Sequence, residues 1–326
     1  MLPLAFEVTP MSDASYVGLL LIGDPHLEGR SPGFRKDDYP NAILAKLEWC
    51  LDYAREQRLL PAILGDLFDK PRDNPNWLIS RLLMLLKGEI LGIYGNHDVH
   101  YNPELTPDDS LSLLVNADRI QMVSADSPWR GRIGGRDVIV GGSSYRQDIP
   151  KAFKVSPDTV RPLVIWLTHH DILIPGYDEG RIKPTELDGI DVLVNGHIHR
   201  RLENIQAGRT LWLTPGNISR RSRNDATRVH IPAVLRIDVT ADGYNATHVT
   251  IPHGAFDDVF HEVVVETVAE TQGSAFVAGL AELQARRTAS GAGLIEFLNQ
   301  NLSQFEPGVA AEILNLTQEV SNVVES

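Results

Sequence analysis

Residues 191–199 read Asp-Val-Leu-Val-Asn-Gly-His-Ile-His. A short apolar run without polar alternation fits a strand buried on both faces. It ends at Gly196 and delivers two histidines, His197 and His199, two residues apart. Alone that pair says little, because imidazoles at this spacing can simply share one surface of an extended segment. Its meaning depends on what the other strand ends carry.

The same arrangement of apolar run, tight turn and polar donor occurs four more times. Leu-Leu-Leu-Ile-Gly at 19–23 leads into Asp24-Pro25-His26, and Pro-Ala-Ile-Leu-Gly at 61–65 into Asp66-Leu67-Phe68-Asp69. Leu-Gly-Ile-Tyr-Gly at 91–95 leads into Asn96-His97-Asp98, and Val-Ile-Trp-Leu-Thr at 164–168 into His169-His170. The carboxyl ends of strands in an open α/β sheet line one crevice. Five such ends would bring aspartate, asparagine and histidine side chains together. Carboxylate, amide and imidazole donors suit divalent ions of intermediate hardness, such as Mn, Fe or Zn. The chain has one cysteine, Cys50, so a thiolate zinc site is excluded. The donors are too many for one ion. Two ions about 3.5–4 Å apart, sharing a carboxylate, would use them all, activate a bridging water and offset charge on a phosphate.

Outside these blocks, runs with helical periodicity alternate with the apolar ones, as at 41–57 and 76–87, which predicts an α/β fold. Asp73 and Asn74 before Pro75 read as start signals for the second of these helices. The later runs at 210–214, 232–239 and 247–251 predict adjacent strands, the last two joined through a hairpin-type Asp-Gly turn. The character changes near 252–254. Beyond that point helix-like runs dominate, with Ala-Ser-Gly-Ala-Gly at 289–293 as a hinge. Two segments are therefore expected: a domain over 1–253 and an acidic, mainly helical segment over 254–326.

With 43 % hydrophobic and 22 % charged residues, the composition is that of a soluble globular protein. No apolar run reaches the ~20 residues of a bilayer span, so no membrane partner is expected. The first residues lack the basic region of a secretory leader, and the lone cysteine fits a reducing, cytoplasmic setting. Cys50 sits in an amphipathic pattern and reads as a core residue. The net charge of −13 argues at first against a nucleic-acid partner, but its distribution reverses that reading. Residues 255–326 carry eleven acidic and two basic side chains, whereas 200–228 holds seven arginines against Glu203 and Asp225.

Taken together, D-x-H, G-D-x-x-D, G-N-H-D, a later strand-end histidine and G-H-x-H resemble the calcineurin-like metallophosphoesterases, over roughly residues 16–252. The resemblance implies a four-layer sandwich of two mixed β-sheets flanked by helices. It also implies two divalent metal ions, Mn²⁺ foremost and Fe²⁺ or Zn²⁺ otherwise. Asp24, His26, Asp66 and His199 would hold the first. Asp66, Asn96, His169 and His197 would hold the second, with Asp66 bridging. His97 would be the general acid, with Asp98 orienting it, while a metal hydroxide attacks phosphorus. Asp69 would cap a turn or support the site.

Within that family, Gly65–Pro71, Ile93–Asp98 and the Gly196–Arg200 block followed by Leu213–Arg223 look most like SbcD-type DNA-repair nucleases. That implies DNA as substrate, an SMC-like ATPase partner and pairing into a homodimer. Arg220, Arg221 and Arg223 are then candidates to grip the DNA phosphates. The tail after Pro252 is shorter than that branch usually carries and could be a partner-docking segment, a dimer arm or a reduced cap. The competing readings are a small-molecule or cyclic-nucleotide phosphodiesterase or phosphomonoesterase on the same site, and a non-catalytic structural subunit.

Overall fold

The structure is a computed structural model, and it describes residues 16–261 apart from 102–103, 156–160, 178 and 224. The chain opens with strand β1 (Gly18–Ile22), helix α1 (Tyr39–Glu56), β2 (Leu59–Leu64), α2 (Asn76–Leu85), β3 (Leu91–Ile93), α3 (Ser110–Asn116) and β4 (Gln121–Met122). There follow β5 (Trp129–Ile133), β6 (Arg136–Ser143), β7 (Leu163–Thr168), β8 (Val192–Asn195), β9 (Ile205–Ala207) and β10 (Thr210–Leu213). A short helix α4 (Asp225–Val229), β11 (Ala233–Val239), β12 (Tyr244–Thr250) and one turn of helix, α5 (Phe256–Val259), complete it.

The strands form two six-stranded sheets, in the orders β12-β11-β1-β2-β3-β4 and β5-β6-β7-β8-β10-β9. Both are mixed. β1 through β4 run parallel, with antiparallel β11 and β12 on one edge. β6, β7, β8 and β10 run parallel between antiparallel β5 and β9. The continuous apolar runs have a simple cause, since side chains alternate across a strand and both faces here are covered. In β1, Leu20 and Ile22 pack among the helices, while Leu19 and Leu21 enter the layer between the sheets. In β7, Leu163, Ile165 and Leu167 meet them in that layer, and Val164 and Trp166 point to the far side. Each fully buried aliphatic side chain contributes on the order of 1.5–3 kcal/mol.

Helices α1, α2 and α3 cover the first sheet. Among the described residues the outer face of the second sheet is covered by irregular segments instead, through Ile172, Ile174, Leu187, Ile190 and Ile198. Cys50 is buried in α1, where desolvation pushes its thiol up to about 12. α2 begins where its periodicity predicts, but at Pro75 with no side-chain cap. The Asn74 amide instead donates to the Lys70 carbonyl and to Ser110 Oγ. Two strands escaped the sequence reading: β5, whose Trp-Arg-Gly-Arg-Ile alternates buried and exposed, and the three-residue β9.

Packed chain continues past position 253, against the segment at 34–36. Phe256 and Phe260 are buried, and Lys36 N and His261 N bond the Val259 and Phe34 carbonyls. The helical runs expected farther along lie outside the described residues. No described helix is long and apolar enough to cross a membrane.

Candidate dinuclear metal centre

The parallel strands β1, β2, β3, β7 and β8 all end on one rim, and each expected donor stands just past such an end. The turns that carry them are tight. Asp24, His26, Asp66 and His197 all hold left-handed backbone, with φ of 36, 48, 48 and 68°. Non-glycine residues persist there only when the surroundings over-determine them, at a cost of order 1 kcal/mol or more each. The glycines beside them are needed for close approach: a Cβ on Gly95 would lie 2.1 Å from Asp66 Oδ1 and 2.6 Å from His169 Nε2.

The donors converge. His26 Nε2 lies 2.9 Å from His199 Nε2 and 3.7 Å from Asp66 Oδ2, and His199 Nε2 lies 3.7 Å from Asp24 Oδ2. On the other side, His169 Nε2 lies 3.2 Å from both Asp66 Oδ2 and Asn96 Oδ1, and His197 Nδ1 lies 2.9 Å from the same Asn96 oxygen. Three overlapping donor sets result: His26, Asp66 and His199; Asp66, His169 and His197; and, at the edge, His26, Asp69 and His97, each within 4.8 Å. Asp66 belongs to the first two. Three of the buried polar atoms without a hydrogen-bond partner are here: Asp24 Oδ2, Asp66 Oδ2 and His26 Nδ1. Two buried carboxylates with orphaned oxygens, ringed by imidazoles, form a donor set that fits divalent cations.

Each charge in the site is set by its neighbours. Burial would raise the Asp66 carboxyl, but His169, His26 and His97 overcome it and hold it below the ordinary range. Burial likewise opposes a charged His169, yet Asp66 and Asp24 carry it up to about 10. Desolvation, then His26, lowers His199, although 46 % of its side chain is exposed and water offsets part of the effect. The ring nitrogens are also oriented from behind. His169 Nδ1 donates to the Leu64 carbonyl at 2.7 Å, which turns Nε2 toward Asp66.

His97 stands at the edge of the centre, its ring 4.8 Å from that of His26. Its Nδ1 donates to the Asp69 carbonyl at 2.8 Å, so Nε2 is the nitrogen left for chemistry. Here the structure corrects an expectation. Asp98 makes no hydrogen bond to the His97 ring among the described residues; its fully buried carboxylate accepts from the backbone N–H of Leu67, Phe68 and Gly95. It ties the loops after β2 and β3 together, and reaches His97 only through the backbone. Burial, then the charge of Asp66, pushes its carboxyl up to about 7. Asp69 supports the site. Its Oδ1 lies 3.6 Å from His26 Nδ1 and pairs with Arg221 Nε at 2.8 Å, while the Arg221 Nε–H donates to Glu28 Oε2.

The expected phosphate-gripping arginines divide. Arg220 is buried, and its guanidinium donates to the carbonyls of His230 and Gly254. These bonds commit its guanidinium to the backbone. Arg223 donates to the His261 carbonyl and lies over the Phe34 ring. Arg221 alone adjoins the donors, and it is held by Glu28 and Asp69. Proximity in sequence to the G-H-x-H block did not decide where each guanidinium points.

Two contributors were missed. Asp171 accepts from His197 Nε2 at 2.9 Å and from the Tyr177 hydroxyl at 3.1 Å, so a carboxylate stands behind a donor histidine. The signal was its place right after His169-His170, but a lone aspartate after two histidines is not specific. Asn195 is buried and bonds Thr168 Oγ1 and both backbone groups of His170, stitching the ends of β7 and β8. The neighbouring His170 is also buried and donates from Nε2 to the Gln147 carbonyl.

Two mixed sheets whose strand ends meet around a shared carboxylate define a class, the metal-dependent phosphoester hydrolases. Residues 18–201 match the calcineurin-like phosphoesterase family model, and the chain belongs to that family. A comparison with curated proteins found no match. Among solved structures the chain is similar to a dimetal phosphatase from Danio rerio, at 12 % identity and TM-score 0.43, covering 74 % of this chain and 100 % of that one. A predicted phosphoesterase from Streptococcus pneumoniae TIGR4 is similar at 14 % identity and TM-score 0.34, covering 73 % and 94 %. Chaetomium thermophilum Vps29 is similar at 12 % identity and TM-score 0.30, covering 74 % and 100 %. At these scores the likenesses carry no further argument.

Proposed function

We propose that the protein is a nuclease of the SbcD type that hydrolyses DNA phosphodiesters with two divalent ions, Mn²⁺ foremost. The observation that carries this reading is the pair of donor sets sharing Asp66, with His97 beside them and its Nε2 unbonded among the described residues. Asp24, His26, Asp66 and His199 would hold one ion, and Asp66, Asn96, His169 and His197 the other. When bound, the ions supply charge neutralisation on the phosphate and activation of water at neutral pH.

The chain's own residues do the rest. His97 Nδ1–H is committed to the Asp69 carbonyl, so the proton for the departing oxygen is held at Nε2 and passed on as the ester bond breaks. Asp98 fixes the two loops that set His97 and Asp66 in register, and Asp171 fixes the His197 ring. Resemblance of the Gly65–Pro71 and Ile93–Asp98 blocks to that branch supports DNA over a small ester. Docking of an SMC-like ATPase or of a second copy belongs to the same reading. Exposed Trp77 and Met84 on α2 and Leu113 on α3 are apolar surface available for it.

The test is to load purified protein with manganese, then compare single-stranded DNA, duplex DNA and bis-p-nitrophenyl phosphate. Cleavage of the small ester alone would replace the nuclease reading with that of a small-molecule phosphodiesterase. Metal content by mass spectrometry, read for Mn, Fe and Zn, tests the cofactor.

A further inference from the structure

The candidate arginines at 220–223 are held by the fold, but a different one is not. Arg146 lies just after β6, whose parallel register sets Ser143 opposite Thr168. Residues 144–146 therefore emerge beside His169 on the donor rim. Tyr145 places its ring 6.4 Å from that of His197, and the Arg146 guanidinium lies 5.3 Å from the Tyr145 ring centroid. The guanidinium is thus one ring removed from an expected metal ligand. Arg146 is exposed and, among the described residues, forms no ion pair.

The loop that presents it is built rigidly. Tyr145 N bonds the Tyr94 carbonyl, Ser144 Oγ receives Tyr94 N, and Gln147 Nε2 donates to the Tyr94 hydroxyl. Ser144 N bonds Gln147 Oε1, Ser143 Oγ donates to the Asp148 carbonyl, and His170 Nε2 holds the Gln147 carbonyl. Within this frame Arg146 takes a left-handed backbone, with φ of 65°. Arginine does not favour that region, and strain held in place by such a frame is characteristic of ligand clamps.

We propose that Arg146, seated on Tyr145, binds a backbone phosphate adjoining the scissile one, and so selects a phosphodiester strand over an isolated ester. The inference rests on the phosphodiesterase reading and deepens it. A guanidinium offers a planar fork suited to phosphate oxygens. The Tyr145 ring holds that fork beside the donor rim. A simple ester has no neighbouring phosphate to use it.

The test uses the full chain with manganese, on a single-stranded oligonucleotide and on bis-p-nitrophenyl phosphate, across a series of NaCl concentrations. Arg146→Ala lowers kcat/KM on the oligonucleotide about tenfold relative to the small ester cleaved by the same variant, chiefly through KM, as expected for one charge-assisted hydrogen bond at a wet rim. The slope of log(1/KM) against log[salt] flattens by about 0.7, the worth of one phosphate contact on a single strand. Arg146→Lys keeps that slope while losing part of the affinity. If Arg146→Ala leaves the oligonucleotide-to-ester ratio and the salt slope at wild-type values, Arg146 is not the contact, although the nuclease reading stands. If the wild-type protein cleaves the ester and no oligonucleotide, both fail together.

Discussion

Asp171→Asn isolates what a carboxylate behind a donor histidine contributes. His197 Nε2–H donates to Asp171 Oδ1 at 2.9 Å, and the Tyr177 hydroxyl to the same oxygen at 3.1 Å. The bond from His197 comes first among the causes that hold the Asp171 carboxyl below its usual range. Asparagine keeps the size and an acceptor oxygen but removes the charge that makes His197 Nδ1 a better donor. Partners of this kind are typically worth 10–100-fold in metal affinity, about 1.4–2.7 kcal/mol. The Asp171 side chain is 34 % exposed, so the lower end applies and about a tenfold loss is expected. Calorimetric titration of metal-stripped protein with Mn²⁺ resolves it. One ion should weaken about tenfold, the other should hold within about twofold, and the thermal midpoint should barely move. Equal weakening of both ions, or of neither, would refute the assignment of Asp171 to His197.

Other perturbations separate chemistry from scaffold. His97→Ala should keep both ions and lose about 10²–10⁴-fold in turnover, the usual worth of a general acid; loss of metal by mass spectrometry would make His97 a ligand instead. Asp98→Ala orphans three buried N–H groups at about 1–3 kcal/mol each, so urea unfolding should show a loss of several kcal/mol. A role confined to orienting His97 predicts wild-type stability and an altered pH–rate profile. Asp109 accepts from Arg72 Nε, Thr106 N and Thr106 Oγ1; burial opposes its charge, but these bonds win and hold its carboxyl low. A depressed folded pKa stabilises the protein above the unfolded value of about 3.9, and the gain is lost as pH falls through the lower folded value. Asp109→Asn should therefore lower the thermal midpoint at pH 7, with the gap closing below about pH 4.

The sequence alone determined the class of fold and the composition of the centre. Apolar runs such as 19–22 and 163–168 are continuous because their strands are covered on both faces, so they are legible without a partner in view. Each donor block sits next to its strand in sequence, where turn chemistry is local. Short or alternating pieces were less legible. β9 is too brief for any period to emerge, and β5 reads as a strand only once β6 lies beside it. What the tertiary structure decided is where side chains point across long separations. Arg220 and Arg221 are neighbours in the chain, yet one is buried against backbone carbonyls and the other faces Asp69, because the left-handed backbone at 220 turns them apart. Asp98 serves loops about thirty residues upstream instead of its neighbour, and Tyr145, on which Arg146 sits, comes near His197 only through the pairing of β6, β7 and β8. A strand's hydrophobic pattern records that it is buried, but a polar side chain takes its partner from whatever the sheets bring within hydrogen-bonding reach.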